Sequence, residues 1–170
     1  MELRVAGDAT EAAARAADEL AAALRTAVGA RGRAVLAVSG GSTPGPMLRA
    51  LADAGLDWDR VHVAQVDARI APDGDPDRNL VGLRESLLGH APIPEANVHV
   101  MPGGADDAGA AAQAYGQALS RLCGGALDAV HLGLGPDGHT ASLVPGDPVL
   151  EVTDRWGAVP GTASVGPAPQ

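Results

Sequence analysis

The 170-residue chain contains no lysine, and all 12 of its basic residues are arginines. A lysine Schiff base is therefore excluded, and a positively charged side chain that binds an anion must be a guanidinium, which favours forked contacts with phosphate or carboxylate. The 21 acidic residues bring the formal net charge to −9. This charge argues against nucleic acid or an anionic membrane surface as a partner.

Cysteine, aromatic residues and long apolar runs are also scarce. Cys123 is the only cysteine, so no internal disulfide can form and a reducing compartment is expected. Phenylalanine is absent, which leaves leucine, valine and alanine to build the core. Glu2, Asp8 and Glu11 occupy the N-terminal segment where a signal peptide would be apolar, and no run approaches the ~18 apolar residues of a membrane span. We therefore expect a cytoplasmic protein with a single domain.

Short apolar runs alternate with amphipathic segments along the chain. The pattern predicts strands over 33–38, 61–66, 98–101 and 127–134, and helices over 8–28, from Pro44, over 79–88 and over 105–122. Asp8 and Glu11 resemble a capping box, and Gly29 is the expected end of the first helix. The alternation predicts an α/β fold with a doubly wound, mainly parallel sheet and helices on both faces, a three-layer Rossmann-like arrangement.

A glycine-rich turn, Ser39-Gly40-Gly41-Ser42-Thr43-Pro44, follows the first predicted strand. It is typical of a phosphate cradle, in which the glycines admit backbone N–H groups, the hydroxyls donate, and the next helix presents its N-terminus. The alternative is a strand-to-helix turn with Thr43 as the N-cap and Pro44 as the first helical residue. Both interpretations are compatible, because a capped helix N-terminus also attracts anions. No Gly-Lys-Ser/Thr follows, which excludes a Walker A loop.

A second glycine-rich turn, residues 133–139, follows the last predicted strand and contains His139. Its sequence fits the dinucleotide pattern G-x-G-x-x-G, but Pro145 and Pro148 leave room for only about two helical turns after it. We therefore reject a dinucleotide site. Histidine changes its charge near neutral pH and can accept a proton from water without a metal. His139 is thus a candidate general base, and the alternative is that it braces the turn.

Polar residues also follow the strand predicted over 61–66. Asp67 is a candidate to orient water or His139, and Arg69 to hold an anion; the alternative is a solvated ion pair of little energetic value. Arg78 is either a further anion contact or a solvated residue at a helix start, and Asn79 either caps that helix or contacts a substrate hydroxyl. The five histidines show no metal-binding spacing, so we expect no metal and no cofactor.

Together these motifs resemble 6-phosphogluconolactonase. The resemblance rests on residues 39–44, on Asp67-x-Arg69, on Asn79 and on Gly-Pro-Asp-Gly-His-Thr-Ala-Ser-Leu-x-Pro-Gly at 135–146. The motifs occur in order over residues ~5–165 with the expected β/α spacing. The first motif is shared with glucosamine-6-phosphate deaminase, a relative with the same kind of fold. The Thr-Ala-Ser-Leu-x-Pro-Gly continuation is the lactonase version.

The resemblance implies hydrolysis of 6-phospho-D-glucono-1,5-lactone to 6-phosphogluconate in the oxidative pentose phosphate pathway, without metal or cofactor. It implies that His139 activates water and that Asp67 supports the water or the histidine. It also implies a small-molecule partner alone, with no nucleic acid and no membrane, and we expect a monomer. The alternatives are an isomerase or deaminase of an amino-sugar phosphate and a non-catalytic sugar-phosphate-binding remnant. The residues assigned to the substrate are Gly40, Gly41, Ser42, Thr43, Arg69, Asn79 and Gly138.

Three positions depart from the family pattern. Ala68 stands where the family usually has Glu, Arg78 where it has Ser, and Val144 where it has Phe. Family members also run on with further strands and a C-terminal helix, whereas this sequence ends at Gln170 after a Pro- and Gly-rich stretch. The expectation is one catalytic α/β domain over 1–170 that is incomplete at its C-terminus.

Overall fold

A four-stranded parallel sheet forms the centre of the protein. The structure is a computed structural model that describes residues 2–72, 74–76 and 78–161. The strands are β1 (Ala34–Val38), β2 (Val61–Gln65), β3 (Val98–His99) and β4 (Ala129–His131), and their order in the sheet is β3-β2-β1-β4. At the end of β1, Val38 lies opposite Gln65 of β2 and His131 of β4. The carboxyl ends of these three strands therefore meet at one edge.

Helices cover both faces of this sheet. They are α1 (Ala9–Arg31), α2 (Gly45–Ala52), α3 (Asn79–Leu83), which continues as one π-helical turn (Arg84–Leu88), and α4 (Ala108–Cys123). On one face Leu36 and Val63 join a large buried cluster with α1 and α2. On the other face Ala37 and Ala64 pack against α4. Successive strand residues thus face opposite helical layers, which confirms the predicted three-layer α/β fold.

The layer containing α4 is held by a polar contact as well as by apolar packing. The Tyr115 hydroxyl donates to the carbonyl of Gln65 (2.9 Å) and accepts from the Gln65 backbone N–H (2.9 Å). Burial raises the pKa of Tyr115 to about 12. Alanines 37 and 64 leave room for this ring between the sheet and α4. In a chain without phenylalanine, a hydrogen-bonded tyrosine thus supplies the aromatic part of this layer.

The ends of α1 confirm one prediction and correct another. The Asp8 side chain accepts from the Glu11 N–H (2.8 Å), so the capping residue was predicted correctly. The Glu11 carboxylate in turn accepts from the N–H of Gly7 (2.6 Å). The predicted end at Gly29 is wrong, because the helix continues to Arg31 and stops at Gly32. Gly32 has φ 74° and donates to the Val28 carbonyl (2.8 Å), whereas Gly29 keeps a helical backbone.

Other element boundaries also differ from the prediction, and β3 covers only Val98–His99 rather than 98–101. Helix α4 begins at Ala108, after the Asp107 side chain accepts from the Ala110 N–H (2.9 Å), rather than at residue 105. Strand β4 covers three residues instead of 127–134, because only residues 129–131 pair with β1. Beyond them Leu132 and Leu134 leave the sheet and are exposed. Within the described part of the chain, no helix combines the length and the apolar character that crossing a bilayer requires.

Candidate active site

The segments after β1, β2 and β4 meet at the carboxyl edge of the sheet. We call residues 39–44 the β1 turn and residues 133–139 the histidine turn; Asp67 follows β2 between them in the chain. Ser39 links the β1 turn to the end of β4, since its N–H and its hydroxyl both donate to the carbonyl of His131 (3.2 Å each). Ligands of open α/β sheets bind at this edge, where the strand order changes direction.

The β1 turn leaves its hydroxyl groups exposed to solvent. Ser42 and Thr43 are exposed and make no side-chain hydrogen bond with any described residue. Helix α2 begins at Gly45 with Pro44 as its N-cap and without a side-chain cap, so the assignment of Thr43 as N-cap and Pro44 as first helical residue is wrong. Because neither hydroxyl makes a capping hydrogen bond, both can donate to a bound anion.

Gly40 is the point of closest approach in the β1 turn. A Cβ atom at this position would lie 2.3 Å from Cγ of Asn79, so the Asn79 side chain occupies the space that any other residue would need. Gly41 next to it has φ 103°, in the left-handed region. The two positions therefore require glycine for different reasons: a close contact with Asn79 at Gly40 and a left-handed backbone conformation at Gly41.

Asp67 is half-buried, and both of its carboxylate oxygens accept a hydrogen bond. Asn79 Nδ2 donates to Oδ1 (2.9 Å) and to the Asp67 carbonyl (3.2 Å), and Ser142 Oγ donates to Oδ2 (2.8 Å). Asn79 is the first residue of α3 and provides no cap, so the capping interpretation is wrong. The structure thus brings Gly40, Asn79, Asp67 and Ser142 together. Ser142 lies inside the C-terminal motif, but the sequence analysis did not single it out.

His139 is held by Asp137. The imidazole Nδ1 lies 2.5 Å from Asp137 Oδ1, and the His139 N–H donates to the same oxygen (3.2 Å). The hydrogen bond from His139 lowers the pKa of Asp137, so this carboxyl is ionised at neutral pH. An ionised carboxylate beside Nδ1 accepts the proton of that nitrogen and leaves the Nε2 lone pair as the acceptor. The histidine-orienting contact therefore comes from Asp137, whereas the bonds of Asp67 go to Asn79 and Ser142.

The glycines of the histidine turn leave the space that the imidazole occupies. A Cβ atom at Gly135 would lie 2.1 Å from Cε1 of His139, so the ring rests on the open face of this glycine. Gly135 also donates to the His139 carbonyl (2.8 Å), and Gly138, with φ 87°, donates to the Gly135 carbonyl (3.0 Å). The imidazole remains 41% exposed. The glycine pattern thus serves a reachable histidine, in keeping with our rejection of a dinucleotide loop.

The two candidate arginines have different environments. Arg69 is half-buried, its carbonyl lies against Gly103, and its guanidinium makes no ion pair with any described residue. Arg78 is only 4% exposed, and its Nη2 donates to the carbonyl of Met101 (3.2 Å). The interpretation of Arg78 as a solvated residue is therefore wrong. Arg78 braces the segment after β2 against the loop after β3, and Arg69 is the guanidinium that remains for an anion.

The other histidines of the sheet do not join this site. His62 and His99 contact each other through Nδ1 and Nε2 (3.1 Å), and burial lowers the pKa of both. Burial also lowers the pKa of His131. Among the described residues, no three His, Cys, Asp or Glu side chains lie close enough together to hold a metal ion. His139 is thus the histidine at the carboxyl edge that combines exposure with an acidic partner.

Comparison with known proteins identifies relatives over most of the chain. The family described as glucosamine-6-phosphate isomerases/6-phosphogluconolactonase matches residues 7–170. A 6-phosphogluconolactonase of Synechocystis is 43% identical over 135 residues, which cover 76% of this chain and 56% of that protein. A 6-phosphogluconolactonase of Nostoc is 38% identical over 159 residues, covering 90% and 66%. The chain therefore spans about 56–66% of the length of these curated relatives.

Solved structures share the same architecture. The crystal structure of 6-phosphogluconolactonase from Thermotoga maritima superposes with a TM-score of 0.71 at 27% identity, covering 77% of this chain and 59% of that one. A monomeric glucosamine-6-phosphate deaminase superposes with a TM-score of 0.76 at 22% identity, covering 86% and 60%. At that identity the deaminase shows the fold alone. The superposed region leaves about 40% of each solved chain uncovered.

Proposed function

Since the chain belongs to the glucosamine-6-phosphate isomerase/6-phosphogluconolactonase family, we propose that it hydrolyses 6-phospho-D-glucono-1,5-lactone to 6-phosphogluconate, a step of the oxidative pentose phosphate pathway. The observation that carries this proposal is the His139 imidazole. It is exposed at the carboxyl edge of the sheet, rests on Gly135 and is bound through Nδ1 to ionised Asp137. This arrangement suits a general base whose Nε2 faces a substrate.

In the proposed reaction His139 Nε2 takes a proton from water while the water oxygen attacks the lactone carbonyl carbon. The tetrahedral intermediate collapses with cleavage of the bond between that carbon and the ring oxygen. The proton held by His139 passes to the ring oxygen, which becomes a hydroxyl, and the new carboxylic acid releases its own proton. A positioned general base typically supplies about 10²–10⁴-fold of rate. Asp137 accepts the Nδ1 proton, so that Nε2 takes up the proton of water and later gives it to the ring oxygen.

The phosphate group of the substrate would be held by the β1 turn and by Arg69. Gly40 and Gly41 bring the backbone close, and Ser42 and Thr43 offer unoccupied hydroxyls. The net charge of −9 opposes an anionic substrate at long range, but solvent ions screen exposed charges over about 8 Å at physiological ionic strength. Charge-assisted hydrogen bonds contribute about 1.5–3 kcal/mol each, enough for local contacts to outweigh that field.

Asn79 and Gly138 complete the proposed substrate contacts. Asn79 lies between Gly40 and Asp67, and its amide oxygen, which accepts no hydrogen bond from any described residue, is the group proposed to contact a sugar hydroxyl. Gly138 precedes His139 and has no side chain to cover the imidazole. We also propose that residues 1–170 act as one domain and as a cytoplasmic monomer on this small molecule. The reaction as written needs neither metal nor organic cofactor, and no nucleic acid or membrane.

A deaminase or isomerase of an amino-sugar phosphate needs two groups, a base that abstracts a C–H proton and an acid that opens the ring. At this edge Asp67 is a further carboxyl beside His139, and its two oxygens accept hydrogen bonds from Asn79 and Ser142. Hydrolysis needs His139 alone as base, and we therefore propose it ahead of the deaminase reaction.

The direct test is lactone turnover. 6-Phosphogluconolactone is generated in situ, and 6-phosphogluconate formation is followed above the spontaneous rate for the wild type, His139→Ala and Asp137→Asn. We expect His139→Ala to lose about 10²–10⁴-fold in kcat and Asp137→Asn to lose less, because the base remains but its tautomer is no longer fixed. Thr26→Ala, which removes an exposed hydroxyl of α1 bonded to the Ala22 carbonyl, is the matched control.

Three results would contradict the proposal. Folded wild-type protein with no turnover above the spontaneous rate would exclude lactonase activity of this chain. Ammonia release from glucosamine-6-phosphate would instead identify the deaminase. Binding of 6-phosphogluconate without turnover of either substrate would identify a non-catalytic sugar-phosphate-binding protein.

A further inference from the structure

Ser142 is the point at which the loop after β4 is tied to the rest of the site. Among the described residues, the side-chain hydrogen bonds of residues 133–143 stay within that segment, except the bond from Ser142 Oγ to Asp67 Oδ2 (2.8 Å). Thr140 Oγ1, for example, donates to the carbonyl of Gly133 (2.8 Å). The half-buried Ser142 hydroxyl therefore connects this segment to the end of β2.

The backbone around Ser142 is tightly folded. Thr140 donates to the Leu143 carbonyl (3.3 Å), and Leu143 donates back to the Thr140 carbonyl (2.9 Å). Between them Ala141 has φ 50°, the one positive φ of a non-glycine residue in the described part of the chain. Residues in this conformation persist where surrounding contacts hold them. Because the turn is closed in this way, a restraint on Ser142 also restrains Thr140 and the adjacent His139.

Beyond Asp67 the contacts continue to the β1 turn. The other carboxylate oxygen accepts from Asn79, and the Asn79 side chain fills the space beside Gly40. Ser142, Asp67, Asn79 and Gly40 thus form one continuous series of contacts. It runs from the segment that carries the proposed base to the turn that carries the proposed phosphate site.

We propose that Ser142 is a positioning residue, which fixes His139 relative to the β1 turn by anchoring residues 133–143, here called the histidine loop, to Asp67. Asp67 then acts as an anchor between two loops. The kinetic consequence rests on the proposed lactonase function, whereas the structural consequence does not. Without the Ser142 hydroxyl the histidine turn keeps its internal bonds to Asp137 and Gly135 but loses its link to β2. The imidazole itself is then unchanged, but it is displaced relative to a substrate whose phosphate is bound at the β1 turn.

This role predicts a separation of kinetic parameters. A displacement of about 1 Å in a catalytic group can cost about 10²-fold in rate. We therefore expect Ser142→Ala to lower kcat about 10–100-fold while KM and 6-phosphogluconate affinity stay within roughly threefold, because the β1 turn and Arg69 are untouched. Ser142→Thr keeps the hydroxyl and should recover most of the lost kcat. Thr26→Ala, with a hydroxyl removed far from the site, should match the wild type.

A second experiment measures the structure of the loop and does not depend on enzyme turnover. In the wild type and the same variants, NMR records the Cε1–H signal of His139 and the hydrogen exchange of the His139 and Leu143 amides. Ser142→Ala should shift the His139 signal and speed exchange of both amides at least about tenfold by raising the open population of the loop, with the rest of the sheet unchanged. Ser142→Thr should restore both readouts. Circular dichroism establishes that each variant is folded.

Two results would overturn the proposal. The first is Ser142→Ala with unchanged His139 signal and amide exchange, whatever its turnover. The second is a loss of kcat in Ser142→Ala that accompanies an equal loss of 6-phosphogluconate affinity and a general rise in amide exchange, because that pattern reports fold stability alone. A wild type without lactone turnover would instead contradict the proposed function, and the NMR comparison would still decide whether Ser142 anchors the histidine loop.

Discussion

The β1 turn and the histidine turn are both rich in glycine and follow neighbouring parallel strands, yet they are built in different ways. The β1 turn is shaped by the absence of side chains, since Gly40 lies against Asn79 and the hydroxyls of Ser42 and Thr43 have no described partner. The histidine turn is shaped by specific side-chain bonds, above all from His139 to Asp137. A similar glycine content therefore leaves the backbone accessible in the β1 turn and fixes an imidazole in the histidine turn.

This difference has a consequence for substitutions. A turn defined by missing side chains is damaged by any added atom, whereas a turn defined by hydrogen bonds is damaged when a donor or acceptor is lost, even if its shape is kept. Gly135 is the exception inside the histidine turn, because it behaves like Gly40 and supports a side chain by leaving space for it. Substitutions at these two glycines test the comparison most directly.

Gly135→Ala should have the larger effect on turnover. The new Cβ atom would lie 2.1 Å from Cε1 and 2.2 Å from Nδ1 of His139, so the ring must leave its position beside Asp137. We expect kcat to fall about 10²-fold with little change in 6-phosphogluconate affinity. Steady-state kinetics and a binding titration measure the two effects separately. Loss of affinity equal to the loss of kcat would show that the histidine turn is not distinct from the phosphate-binding part.

Gly40→Ala should act mainly on substrate binding and on stability. The added Cβ atom would lie 2.3–2.5 Å from the Asn79 side chain, which is itself bonded to Asp67. We expect an increase in KM of about tenfold and a loss of about 1–3 kcal/mol in the free energy of unfolding, measured by urea denaturation. Gly40→Ala combined with Asn79→Ala should recover only part of the stability, because the second substitution removes Cγ and Oδ1 but leaves the Cβ atom of residue 79 at 2.5 Å from the new Cβ atom.

Gly29→Ala is the matched control for Gly40→Ala. Gly29 lies within α1, and a Cβ atom there meets nothing within 4 Å. The same chemical change should therefore stabilise the protein by about 0.5–1 kcal/mol and leave KM unchanged. If the two variants behaved alike, the close contact at Gly40 would have no energetic role.

The smallest expected effect concerns the histidines of the sheet, in contrast to the exposed His139. Burial is the main cause that lowers the pKa of His62 and His99, so the folded state binds a proton there less readily than the unfolded state. Their contribution to stability is fully present above the ordinary histidine pKa of about 6.5 and is lost as pH falls below that value through the lowered pKa of the folded state. The free energy of unfolding should therefore decrease between pH 7.5 and 5.5, by no more than about 1.4 kcal/mol per pH unit for each proton.

His99→Gln should flatten this dependence, because it removes one buried imidazole and the repulsion that further lowers the pKa of His62. His90→Gln, an exposed histidine outside the sheet, is the control and should leave the slope as in the wild type. Urea denaturation at several pH values measures both. An unchanged slope in His99→Gln would show that the histidine pair does not couple folding to protonation.

Much of the fold was readable from local patterns. Every residue of β1 is buried, and its continuous apolar run predicted such a strand. The Asp8 cap was likewise visible, because capping depends on residues a few positions apart. Errors arose where two nearby glycines could each end a helix and where the deciding contact was distant. Gly29 was expected to end α1, but Gly32 does, and β4 is shorter than its apolar run because its neighbour β1 pairs with only three of its residues.

In the candidate site, too, features with a local sequence pattern were predicted and contacts between distant residues were not. The sequence placed Asp67, Asn79 and His139 at the ends of strands or starts of helices, from which a common edge of the sheet followed. It did not reveal that Arg78 is buried against the loop after β3, or that the partner of Asp67 is Ser142, 75 residues further along the chain. Neither contact has a local pattern, because each joins loops that meet only after the strands have paired.

The sequence by itself thus determined the α/β class, the two glycine-rich turns and the residue types available for chemistry, since these depend on hydrophobic periodicity and on backbone freedom within a few residues. Tertiary structure alone decided which side chains share a hydrogen bond. It assigned Asp137 to His139, gave Asp67 to Asn79 and Ser142, and made Gly40 indispensable to Asn79. The physical reason is that hydrogen bonds and close contacts depend on distances of a few tenths of an ångström, which are set when the parallel strands bring distant loops to one edge.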